Sequence, residues 1–164
     1  MKTKYIIILI IGIIVLVLLF VLLTVLLLIP KIKDKKIENI THLRFTYTTG
    51  YHMNASVSYE IDLKDNKYIA TIKPTDIPEE ETKEYEISKD KVKEIENKLN
   101  EYKVSRWNNF RKSDKYVLDG DSFSMNINSN DLDISASGYM MWPNNYREVK
   151  SYLDTTLGSL YKEE

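Results

Sequence analysis

The chain has 164 residues with 23 basic and 24 acidic side chains, and with Lys2 and Lys4 set aside, 21 basic residues face 24 acidic ones. That balance excludes the clustered excess of Lys and Arg that marks a nucleic-acid partner. The absence of cysteine removes disulfides, thiolate metal sites and thiol nucleophiles together, and the length allows one domain of ordinary size but not two.

Residues 1–4 make a short basic tail. From Tyr5 to Ile29 the sequence carries no charge, and only Gly12 and Thr24 interrupt a run of Ile, Leu, Val and Phe. This pattern predicts a transmembrane helix over residues 5–29, because about 1.5 Å of rise per residue gives roughly 37 Å against a hydrocarbon core of about 30 Å. No small-x-small cleavage site follows, so the helix is expected to stay as an uncleaved signal anchor, with the lipid bilayer as its partner and the protein a single-pass component of the cell membrane. The flanking lysines argue about orientation in both directions. Lys31, Lys33, Lys35 and Lys36 outnumber Lys2 and Lys4 and would hold the C-terminal part in the cytoplasm, whereas a short basic segment before a long apolar run is also the pattern of an export signal.

Residues 30–39 read as a charged linker, and residues 40–164 as the folded domain. Leu43, Phe45 and Tyr47 alternate with Arg44, Thr46 and Thr48, and Val57, Tyr59, Ile61 and Leu63 with Ser58, Glu60 and Asp62. Period-two alternation of this kind predicts two half-buried strands. A turn at Lys64–Asn66 leads to a third strand through Tyr68, Ala70 and Ile72, ended by Pro74, and Tyr85–Ile87 suggests a short edge strand. Ser88 stands at an N-cap position before Val92, Ile95, Leu99 and Tyr102 at helical spacing, with Glu94 and Lys98 as an i,i+4 pair on the outer face. Phe123, Met125 and Ile127, then Leu132, Ile134 and Ala136, predict a second hairpin. Asn145 with Glu148 reads as a capping-box start for a final helix bearing Tyr146, Val149, Leu153, Leu157 and Leu160. The expected class is α+β: an antiparallel sheet of about five to six strands with two amphipathic helices on one face.

No arrangement in the sequence identifies catalytic, cofactor-binding or metal-binding residues. His42 and His52 are the two histidines. A site shared by them would need carboxylates such as Glu60 or Asp62 on the same face, and the Arg44 charge beside His42 opposes a cation. Asp119, Gly120, Asp121 and Ser122 are explained by an Asp-Gly turn entering a strand, since the spacing of an EF-hand loop is missing. Ser124, Ser135 and Ser137 fall at regular outward positions of strands rather than in a nucleophile turn. Aromatic residues beside turns offer one interaction surface, namely Tyr51, His52, Tyr139 and Trp142. The plainer reading has Trp107 and Trp142 seal the two ends of the core.

Three segments carry a resemblance: Tyr47–Met53 (YTTGYHM), Val117–Ser124 (VLDGDSFS), and Ile134–Tyr139 (ISASGY) with Trp142–Tyr146 (WPNNY). The domain from about Thr41 onward resembles an uncharacterised family of lipoproteins and membrane-anchored proteins of Gram-positive, clostridial-type bacteria. That family has no assigned activity, so the resemblance implies no catalytic residues. It implies an extracytoplasmic setting. The expected function is therefore a non-catalytic cell-envelope binding or interaction module with a protein or cell-wall partner. The alternatives are a carboxylate-based hydrolase acting on envelope material and a cytosolic-facing, membrane-tethered regulator.

Overall fold

The computed structural model describes residues 12–21, 23–24, 35–50, 56–74 and 82–162. Contacts divide the chain into two units, Met1–Lys33 and Asp34–Glu164. The expected transmembrane helix is corrected. Among the described residues no helix is long and apolar enough to cross a membrane. The remainder of residues 5–29 lies outside the described residues. The signal-anchor and single-pass cell-membrane assignments are withdrawn with it.

The second unit is built on β1 (Ile40–Thr48), β2 (Ser56–Lys64), β3 (Lys67–Pro74), β4 (Lys83–Ile87), α1 (Lys89–Glu101), a 3-10 turn (Val104–Trp107), β5 (Arg111–Ser113), β6 (Ser122–Ser129), β7 (Asp133–Tyr139), α2 (Tyr146–Thr156) and α3 (Gly158–Lys162). The strands form one sheet of seven in the order β4-β3-β2-β1-β6-β7-β5, with β1 in the middle. The expected five to six antiparallel strands are corrected on two points. The sheet has a seventh strand, β5, and that strand runs parallel to β7, with Arg111 opposite Ser137, so the sheet is mixed. Three exposed residues, Arg-Lys-Ser, carry no alternation from which the strand could be read.

Two-residue spacing and hairpin chemistry set the register of the rest. Lys64 pairs with Lys67 across Asp65 and Asn66, both at positive φ. This is the primed turn that Asp and Asn accept at little steric cost. Alternation then sends Leu43, Phe45, Ile61, Ala70, Met125 and Ile127 to one side of the sheet. There they form a single buried cluster with Val92, Ile95 and Leu99 of α1 and with Tyr146, Val149 and Leu153 of α2. Each fully buried aliphatic side chain contributes roughly 1.5–3 kcal/mol relative to exposure. The cluster runs from Ile37 to Leu157. All of its described members lie within residues 34–164, a compact unit with its own core, which is what a segment able to fold alone requires.

The helix ends differ from expectation at one terminus only. Ser88 caps α1 as anticipated, its hydroxyl accepting from Lys91 N at 3.1 Å. Asn145 makes no side-chain cap on α2; it sits at φ 62 and donates from Nδ2 to Tyr102 O at 3.1 Å. The outer face of α1 is tied by Lys91–Glu94 and Lys98–Glu101 rather than by Glu94–Lys98.

Ahead of β1 the chain is stapled to α1. Ile37 N donates to Asn100 Oδ1, and Asn100 Nδ2 donates back to Ile37 O, both at 2.8 Å. Glu96, 3% exposed, accepts from Ile40 N at 2.9 Å. Its other oxygen takes Lys93 Nζ at 2.9 Å. Buried carboxylates persist only when paired and hydrogen-bonded, and the Ile40 amide is available because the β1–β6 register shifts between Ile40 and His42.

Candidate functional site

The two tryptophans of the chain lie together at one end of the sheet, not at opposite ends of the core. Phe123 joins them, 5.9 Å from Trp107 and 5.7 Å from Trp142 between ring centroids, and Trp142 stacks on Tyr146 at 4.4 Å and 19°. Gly138 on β7 permits this. A Cβ there would collide with the Met141 carbonyl oxygen and with the Phe123 ring. A side chain at this position would push the 140–145 loop away from the sheet and take Trp142 with it.

The loop is held from both sides. Trp107 Nε1 donates to Asn144 O at 3.0 Å, and Asn145 Nδ2 reaches Tyr102 O at the end of α1. Four residues around this corner hold positive φ: Lys103, Asn109, Met140 and Asn145. Asn accepts that conformation cheaply, whereas Lys and Met pay of order 1 kcal/mol, a cost the surrounding packing must offset.

Between the loop, the 3-10 turn and β5 lies a cleft of about 520 Å³, lined by Tyr102, Lys103, Arg106, Trp107, Phe110, Lys112, Trp142, Pro143, Asn144 and Asn145. Aromatic rings and three cationic side chains share this lining, which among the described residues includes no carboxylate. Lys112 Nζ lies 5.4 Å from the Phe110 ring centroid, within cation–π range. Trp107 is buried while Trp142 is only partly so, with one of its faces occupied by Tyr146.

A second concavity, about 550 Å³, lies on the helix-free face over β1–β4. Its charges are matched in pairs. Arg44 Nη2 is 2.7 Å from Glu60 Oε1, and Lys64 Nζ is 3.2 Å from Glu84 Oε1. His42 Nδ1 is 2.8 Å from Asp62 Oδ1 on the directly opposed residue of β2.

Of the surface expected from Tyr51, His52, Tyr139 and Trp142, two residues are described. Tyr51 and His52 lie outside the described residues. Tyr139 faces the helix-free side, pairing with Ser122 and donating its hydroxyl to Leu118 O at 2.8 Å, whereas Trp142 packs on the helix-covered side. Of the two described, Trp142 lines the cleft. Lys103, Arg106 and Lys112 were legible as charges but not as companions of Trp142 in one lining, because the stretch from the end of α1 to β5 meets the 142–145 loop only in the folded unit. The Asp119–Asp121 segment bends into β6 at Ser122, and Asp121 Oδ1 accepts from Gly50 N at 2.9 Å.

No protein-family model matches the chain, and no curated protein matches it.

Proposed function

We propose that residues 34–164 form a non-catalytic binding module that takes an anionic carbohydrate in the Trp142 cleft. One observation carries the reading: three cationic side chains line the cleft beside aromatic rings, with no carboxylate among the described lining residues, in a chain whose formal net charge is −1. Carboxylate, sulfate or phosphate substituents would meet Lys103, Arg106 and Lys112, where charge-assisted contacts are strongest. The C–H face of a sugar ring suits the partly exposed indole of Trp142, since the quadrupole of the ring attracts polarised C–H groups as it attracts cations. A cleft of this volume lies within the range of small-ligand sites. Carboxylate-based hydrolysis would require an acid and a base in the same lining, and the described lining residues supply no carboxylate for either role. The cell-wall partner expected from the sequence belongs to this ligand class wherever wall polymers are anionic.

Both tryptophans line the cleft, so intrinsic fluorescence reports occupancy directly. Titrating residues 34–164 with oligogalacturonate should quench or shift the emission, with an affinity that falls as salt rises. Neutral malto-oligosaccharides should leave it unchanged, and the double substitution K103E/K112E should abolish the response while the melting temperature holds. Equal responses to charged and neutral sugars, or no response to either, would sink the reading.

A further inference from the structure

We propose that His42, Glu60 and Asp62 on the helix-free face form a binding site for a divalent first-row transition metal such as Zn²⁺ or Co²⁺. The three residues sit on β1 and β2, next to each other at the middle of the sheet, where pairing on both sides fixes the backbone. His42 directly opposes Asp62, and Glu60 lies two residues before Asp62 on the same face. Their nearest donor atoms all lie within 4.8 Å of one another. His42 Nδ1 is 2.8 Å from Asp62 Oδ1 and 3.8 Å from Glu60 Oε1.

Metal–ligand bonds of about 2.0–2.2 Å in tetrahedral geometry place neighbouring donors roughly 3.4 Å apart. The observed separations bracket that figure, so small side-chain rotations suffice. The His42–Asp62 hydrogen bond opens to admit the ion between its two atoms. One imidazole and two carboxylates are a mixed nitrogen and oxygen set, suited to borderline cations rather than to calcium or magnesium, which prefer oxygen alone. The side chains are between a fifth and a third exposed, which leaves the remaining coordination positions to water.

Arg44 is the built-in competitor. Its guanidinium holds Glu60 Oε1 at 2.7 Å, and its side chain is 50% exposed. An arriving cation therefore exchanges with a group that can swing into solvent. This supplies a test that separates a metal site from an ordinary cross-strand ion cluster, because removing Arg44 would weaken the cluster and strengthen the metal site.

The measurement is calorimetric titration of residues 34–164 with Zn²⁺, alongside the visible absorption of the Co²⁺ complex, for the wild type and for H42A, D62N, R44M and H52A. One equivalent should bind. Affinity should fall roughly tenfold or more in H42A and D62N, rise in R44M and stay unchanged in H52A. H42A changes a partly exposed position, and its fold can be confirmed by its melting curve in the same samples. No binding by the wild type, binding that survives H42A, or binding lost in H52A would overturn the proposal. So would an R44M variant that binds no more tightly than the wild type.

Discussion

The helix-free face of the sheet and the Trp142 cleft both present cations, yet they organise them in opposite ways. On the open face Arg44 and Lys64 each stand against a carboxylate of a neighbouring strand, and Lys67 lies 2.7 Å from Glu86. In the cleft, Lys103, Arg106 and Lys112 share the lining with aromatic side chains, Lys112 lying over the Phe110 ring, and the described lining includes no carboxylate. A chain of nearly zero net charge can thus hold a cationic site, provided its acids are sorted elsewhere. The two regions also differ in what holds them. The cleft depends on close packing, where the loss of a fit is expensive, whereas the open face depends on exposed pairs worth about 0–1 kcal/mol each.

Substitutions can break that comparison, beginning with the largest effect. Gly138→Ala should destabilise the unit by about 3 kcal/mol in thermal or urea unfolding, the upper end of overpacking costs. It should also expose Trp142, read as a red-shifted emission. A neutral G138A would mean that the loop is not anchored by close approach. Next, Glu96→Ala should cost ~2 kcal/mol by leaving the Ile40 amide buried and unpaired, while Glu96→Gln, which keeps an acceptor, should cost clearly less. Equal losses for the two would show that packing rather than the hydrogen bond is at stake.

A smaller effect lies with Tyr59, whose hydroxyl donates to Asp154 Oδ1 at 2.8 Å. Burial, then the Asp154 carboxylate, pushes this phenol well above the ordinary tyrosine range, and burial does the same for Tyr146. A phenol whose folded-state pKa is raised contributes stability that is complete below the unfolded value of about 10 and is lost as pH climbs above it. Urea midpoints should therefore fall between about pH 10 and 12, and Tyr59→Phe should flatten that fall at a cost of about 1 kcal/mol at neutral pH. The smallest effect belongs to the open face. His42→Ala should change stability by no more than about 0.5 kcal/mol without added metal, and a larger loss would mean that the open-face pairs are not the weak partners described here.

How much of this was legible depended on the length scale of each signal. Leu43–Phe45–Tyr47 and Phe123–Met125–Ile127 announced their strands because alternation is local, and Ser88 announced its helix because a cap is local. The capping box at Asn145 failed for a tertiary reason: the side chain that should have capped α2 is spent on Tyr102 O, some forty residues earlier in the chain. The tryptophans were placed at opposite ends of the core because nothing local reveals that β5 runs beside β7 and folds residues 107–112 against residues 138–145. Glu96 read as one more charge on a helix, and only the register shift at the start of β1 gives it an amide to hold. The transmembrane expectation rested on composition alone over residues 5–29, and among the described residues no helix is long and apolar enough to cross a membrane.

The staple ahead of β1 has a consequence for mechanics. Three hydrogen bonds from Asn100 and Glu96 grip residues 37–40, directly before the middle strand of the sheet. Tension applied through the residues preceding Ile37 reaches these bonds first and then pulls β1 lengthwise between β2 and β6, where the ladders on both sides must shear together rather than unzip one at a time. An edge strand pulled in the same way would peel. The unit is therefore built to resist extension from its N-terminal side better than from Ser113 on the terminal strand β5, a difference that single-molecule pulling from the two attachment points would read as two unfolding forces.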